Sequence, residues 1–173
     1  MSERDKIEDV VQVLGHLALG TRLKRIGECL QSQTQVLIDE EGFDLPSSHF
    51  PILAALQRLG ELNVGELAQA VGVSQPAISR ALQGLQAQGL IRAEPSSDRR
   101  SRAVTLSSDG RRLVAKAKQS VWPRIEAAVA EACAGPPDSL LGQLDKVEAA
   151  LNAEPLHLRA VRQANQKRRN ARA

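Results

Sequence analysis

Tyrosine is absent from this 173-residue chain, and only Phe43, Phe50 and Trp122 carry aromatic rings. Single-strand nucleic-acid platforms stack bases on aromatic side chains, so the scarcity argues against an RRM or OB surface. It also argues against a β-sandwich, whose strands favour β-branched and aromatic residues, and it predicts an aliphatic core. Cysteine is nearly as scarce: Cys29 and Cys133 are too few for a disulfide scaffold and fit a reducing compartment. No apolar run approaches a membrane span and no charged-then-apolar leader opens the sequence, which predicts a cytoplasmic protein with no membrane partner. His16, His49 and His157 lie far apart, so no metal site is expected. No Ser-His-Asp arrangement, Gly-rich phosphate loop or helix-borne acid pair is present, so neither catalytic residues nor a cofactor are expected.

What the chain does have is segregated charge. The formal net charge is only +3. Residues 92–118 hold eight basic side chains against Glu94, Asp98 and Asp109, a local surplus of +5. Residues 156–173 hold six basic side chains and no acid, and the remainder carries −8. Two basic segments on an acidic body suit a polyanion, with nucleic acid the first candidate. A solvated face with a disordered tail is the plainer reading of charge alone.

Apolar spacing marks mainly helices. One bent helix or two consecutive ones are expected from Glu3 to Glu41, with Gly42 as the stop. A helix opened by Pro46, Ser47 and Ser48 should bury Phe50, Ile52, Leu53 and Leu56 and end at Gly60. Short helices follow at 64–71 and 74–87. Strands are expected at 90–93 and 103–106, then a long helix from Ser108 to Ala134 kinked at Pro123. A last amphipathic helix, capped by Asp138 or Ser139, carries Leu140, Leu141, Leu144, Val147 and Leu151.

The segment Val64–Gln83, V-G-E-L-A-Q-A-V-G-V-S-Q-P-A-I-S-R-A-L-Q, meets the geometric demands of a helix-turn-helix. Ala68 is small where two backbones must approach, Gly72 accepts positive φ, and Leu67, Val71, Val73, Ile78 and Leu82 are spaced to face inward. Ser74 is placed to cap the second helix and Pro76 falls in its first turn. The predicted DNA-reading set on that helix is Ser74, Gln75, Pro76, Ala77, Ser79, Arg80 and Gln83. Gln pairs with adenine and Arg with guanine in a major groove about 12 Å wide, although either can also hold phosphate. A hairpin follows, tipped by Asp98, Arg99, Arg100, Ser101 and Arg102, which makes a winged helix whose Asp98, Arg99, Arg100 and Arg102 are candidate minor-groove contacts. An adaptor that binds protein instead of DNA would carry apolar anchors on the outward face of the second helix. Here that face is polar.

These residues resemble the MarR family of bacterial transcriptional regulators. The likeness runs from Pro46 through E-L-A-Q-A-V-G-V-S and S-R-A-L-Q-G-L-Q-A-Q-G-L-I into the wing. The family's Asp-x-Arg and Leu-Thr-x-x-Gly read here as Asp98-Arg99-Arg100 and Leu106-Ser107-Ser108-Asp109-Gly110, with Ser107 for Thr. The resemblance implies an α+β winged helix-turn-helix, mainly α with a small β-hairpin wing. It implies dimerisation helices at 1–43 and 111–155 flanking a DNA-binding domain at 44–110, with a basic tail at 156–173. It further implies a homodimeric repressor on a pseudopalindromic operator in double-stranded DNA, released by a small-molecule effector. His49 and Phe50 open the helix that borders the family's ligand cleft and are the candidate effector contacts. The peroxide-sensing branch relies on a reactive cysteine held by tyrosines. With no Tyr, and with Cys29 inside a helix, a buried structural thiol is expected here instead.

Overall fold

The computed structural model describes residues 7–93, 103–133 and 139–170. Helix α1 is one turn, Val10–Val13, capped by the Asp9 carboxylate, which accepts the Gln12 amide at 3.2 Å. Gly15, at φ +53°, ends the pattern in a 3-10 turn, Gly15–Ala18, before α2, Leu19–Glu40. The amino-terminal pattern is therefore two consecutive helices. Arg25 of α2 donates to both Asp9 oxygens, at 3.2 and 2.8 Å, and ties them together.

A 3-10 turn at Ser47–His49 precedes α3, Phe50–Leu59, so the predicted opening at Pro46 is a tighter turn than expected. Phe50, Ile52, Leu53 and Leu56 are all buried, as their spacing predicts. Helices α4, Val64–Val71, and α5, Gln75–Ala87, follow. Strand β1, Ile91–Ala93, pairs antiparallel with β2, Val104–Leu106, with Ile91 opposite Leu106 and Ala93 opposite Val104. A bridge not expected from sequence joins Leu62 to Val104 through two backbone hydrogen bonds of 3.1 and 2.9 Å. It fastens the α3–α4 connection to the base of the β pair.

The predicted long helix is broken in two: α6, Ser108–Gln119, and α7, Val121–Ala132, meet at Ser120. Pro123 causes the break one turn upstream, because it offers no N–H to the Gln119 carbonyl and its ring crowds that oxygen. The core is aliphatic with one exception. All three rings of the chain cluster in it, Phe43 to Phe50 at 5.7 Å and Phe50 to Trp122 at 6.4 Å, both edge to face. Fully buried Ile38, Leu53, Leu67, Ile78, Leu85, Val114 and Val121 show that every helix from α2 to α7 contributes. Each such side chain stabilises the fold by about 1.5–3 kcal/mol. Arg124 of α7 pairs with Glu41 and, at 3.3 Å, with Glu40, holding the end of α2 against α7.

The chain divides into two units between Ala127 and Ala128. The second contains α8, Ser139–Ala153, and α9, Leu156–Asn170. Asp138, a predicted cap of α8, lies outside the described residues. The carboxy-terminal basic segment, for which disorder was one reading, is helical over Leu156–Asn170. Cys29 and Cys133 are both free and exposed. The expected burial of Cys29 is not found: its thiol sits on the outward side of α2, where Sγ accepts a hydrogen bond from Gln33 at 3.3 Å. Among the described residues no helix is long and apolar enough to cross a membrane.

Candidate nucleic-acid interface

The helix-turn-helix is fixed at three points. Asn63 opens α4 with a capping box: its Oδ1 accepts the Glu66 amide at 3.0 Å, and the Glu66 carboxylate accepts the Asn63 amide at 2.8 Å. The Asn63-x-x-Glu66 spacing ahead of an apolar run is the signal that would have placed this start. At the other end Gly72 adopts φ +73°, and the amides of Gly72 and Val73 both donate to the Ala68 carbonyl, at 2.9 and 3.1 Å. Ser74 then starts α5, but its hydroxyl makes no capping hydrogen bond. Its carbonyl instead accepts the Ala77 and Ile78 amides at 3.0 and 3.1 Å.

Helix α5 presents one face to the core and one to solvent. Ile78, Leu82 and Leu85 are buried, whereas Ser74, Gln75, Pro76, Ser79, Arg80 and Gln83 are exposed. One sequence expectation fails here. Val73 does not face inward but is 43% exposed, because it belongs to the turn itself. Ala77, assigned to the reading face, is half-buried and lines a cleft beside α5. The Gln75 amide reaches toward α4, since a Cβ added at Gly65 would lie 3.7 Å from its Nε2. Arg80 folds onto its own helix, Nε to the Pro76 carbonyl at 3.4 Å.

A joint below the wing locks α5, the β pair and α6 together. The Leu90 amide donates to Leu85 at 2.9 Å, and the Ser107 amide donates to Leu90 at 3.0 Å. The Ser107 hydroxyl donates to Gly89 at 2.6 Å and accepts the Gly110 amide at 3.0 Å. A Cβ at Gly110 would stand 2.0 Å from the Leu90 carbonyl oxygen. The Leu-Ser-x-x-Gly run thus has a geometric cause at both polar ends.

The wing contacts Asp98, Arg99, Arg100 and Arg102 lie outside the described residues. Most other cations of this basic segment have local partners. Arg111 donates to the Leu106 carbonyl at 2.9 Å and Arg112 pairs with Asp109. Lys116 donates to the Glu41 carbonyl at 3.2 Å and stands 4.5 Å from the Phe43 ring centroid.

Of the two candidate effector residues, His49 lines a cleft beside α5 and Phe50 does not. His49 shares this cleft of about 290 Å³ with Ile52, Val71, Ala77, Arg80 and Ala81, while its Nδ1 is buried with no partner among the described residues. Burial holds its pKa below the ordinary value. Phe50 lies in the ring cluster of the core and not in this cleft, because both of its neighbouring rings pack on it edge to face. Among the described residues no group of His, Cys, Asp and Glu is arranged to hold a metal ion.

A helix-turn-helix followed by an antiparallel strand pair and braced by the Leu62–Val104 bridge defines a winged helix. Residues 43–101 match the model of the MarR family. Over that segment the chain is similar to the MarR family. Solved structures agree in fold. A MarR family transcriptional regulator from Silicibacter pomeroyi is 29% identical with a TM-score of 0.56, covering 80% of this chain and 88% of that one. The Mycobacterium tuberculosis transcriptional regulator MosR, solved in complex with DNA, is 22% identical with a TM-score of 0.65, covering 78% and 96%. Bordetella bronchiseptica BpsR, whose DNA binding is regulated by 6-hydroxynicotinic acid, is 22% identical with a TM-score of 0.64, covering 78% and 94%. No curated protein matches the chain in sequence.

Proposed function

We propose that the chain is a sequence-specific, double-stranded-DNA-binding repressor that acts in the cytoplasm as a homodimer on a pseudopalindromic operator. The observation that carries this reading is the division of α5, with Ile78, Leu82 and Leu85 buried and Gln75, Ser79, Arg80 and Gln83 exposed on one polar face. Such a face enters a major groove and offers no apolar anchor to a protein partner. Ser74 and Pro76 flank it at the helix start, with Arg99, Arg100 and Arg102 supplying the wing contact and Asp98 orienting them. In the proposed dimer two α5 helices meet half-sites about 10–10.5 bp apart. His49 contacts a small-molecule effector in the cleft beside α5, and Phe50, next to it in the chain, packs in the core behind it.

Selection of bound sequences from random duplexes, followed by anisotropy titration of the winner, tests the reading. Arg80→Ala or Gln75→Ala is expected to relax preference at particular base pairs at a cost of about 1–3 kcal/mol each. Arg100→Ala is expected to weaken binding to all duplexes alike. Recovery of no preferred sequence would overturn the proposal.

A further inference from the structure

Helix α9 carries Arg159, Arg162, Lys167, Arg168 and Arg169 and not one acid. Its two halves differ. In the first, Arg159 donates to the carbonyls of Ala150 and, at 3.0 Å, Glu154, and Arg162 makes two hydrogen bonds with the Glu154 carboxylate at 3.3 and 2.8 Å. Leu156, Leu158 and Val161 belong to this pinned half. In the second half Lys167, Arg168 and Arg169 have no partner among the described residues, and they are flanked by Gln163, Asn165, Gln166 and Asn170.

Three consecutive residues on a helix point about 100° apart, so these cations surround the last turn and do not form a stripe. A helix that settles on a membrane or against a second copy of the chain needs an apolar face along its length. From Gln163 onward α9 has none apart from Ala164. Complementing the end dipole is a use for such cations, but that interaction is satisfied within the last turn and does not account for the amide side chains beside them. Lys, Arg, Asn and Gln side chains are the donors that hold phosphate oxygens. The rest of the chain is acidic outside the wing segment, so polyanion attraction is confined to these two places.

We propose that the carboxy-terminal half of α9, Lys167 to Arg169 with its flanking amides, is a second DNA-contacting element that binds duplex phosphates without reading sequence. The inference rests on the DNA-binding reading of α5 but predicts a separable signature. Full-length protein is compared with the triple variant Lys167→Gln, Arg168→Gln, Arg169→Gln, whose glutamines preserve helix propensity. The probes are the selected operator duplex and a scrambled duplex of the same length, titrated over a salt series, with anionic phosphatidylglycerol vesicles as a third arm. Each phosphate contact contributes about −0.9 to the slope of log K against log salt, so the variant's slope should be shallower by roughly 2.7 per bound chain. The ratio of operator to scrambled affinity should not change. An unchanged slope with sequence preference intact overturns this inference and leaves the function of α5 standing. A shallower slope in a protein with no preferred sequence does the reverse. Loss of vesicle binding in the variant with no change in slope overturns it in favour of a membrane surface.

Discussion

One ring nitrogen, Nδ1 of His49, is buried without a partner, and burial disfavours the charged imidazolium. The folded pKa therefore lies below the unfolded value of about 6.5. The unfolded chain takes up the proton first as pH falls. The stability contribution of the neutral ring is complete above about 6.5 and is lost as pH drops through the unfolded and then the folded value. Thermal melts between pH 8 and pH 5 should show Tm falling across that window in the parent and less so in His49→Gln. Carboxylates held low by arginine partners, such as Asp9 and Glu154, titrate further down and do not mimic the effect. Equal pH slopes in the two proteins would show that His49 is not the group responsible. At this scale the sequence was least legible. Phe50 and His49 are neighbours in the chain, yet one closes a ring cluster and the other lines a cleft, and only tertiary packing separates them.

Elements were easier to read because their causes are local. Periodic Leu, Ile and Val located α3, α4 and α5, and glycines at positive φ ended them at Gly60 and Gly72 as their chemistry requires. The exceptions depend on partners far along the chain or on turn geometry. Leu62 pairs with Val104 across forty residues that carry no local signal of the bridge. The break at Ser120 is displaced from Pro123 because a proline acts on the carbonyl four residues before it. Gly110 shows how an element-level joint constrains a single position. Gly110→Ala pushes a methyl against the Leu90 carbonyl, and backbone yields less readily than the end of a side chain. We expect a loss of about 1–3 kcal/mol in urea unfolding. Ala at Gly142, where a Cβ meets nothing within 4 Å, should cost little and serves as the control.

Exposed aliphatic side chains recur on several helices, α2 and α8 among them. Leu23, Ile26, Leu30 and Val36 lie on α2, and Leu140, Leu141, Val147 and Leu151 lie on α8. Exposed apolar stripes of this kind suit an interaction surface, which supports the proposed homodimer. Light scattering should give twice the 18.7 kDa chain mass. Ile26→Lys with Leu30→Lys should give the monomer mass and weaken operator binding by on the order of a hundredfold, since each head then engages its half-site alone. A monomeric parent that still binds the full operator tightly would rule the dimer out. The apolar stripes were legible in the sequence, but the partner they face was not, because a stripe specifies burial and not identity.

The joint at Leu90, Ser107 and Gly110 also sets how motion passes through this molecule. Three elements share one cluster of hydrogen bonds and one contact too tight for a methyl group, which favours their moving together. A rotation of α6 is expected to reach α5 through this joint. The exposed face of α5 would be carried with it, while the helix interruption at Ser120 lies at the other end of α6.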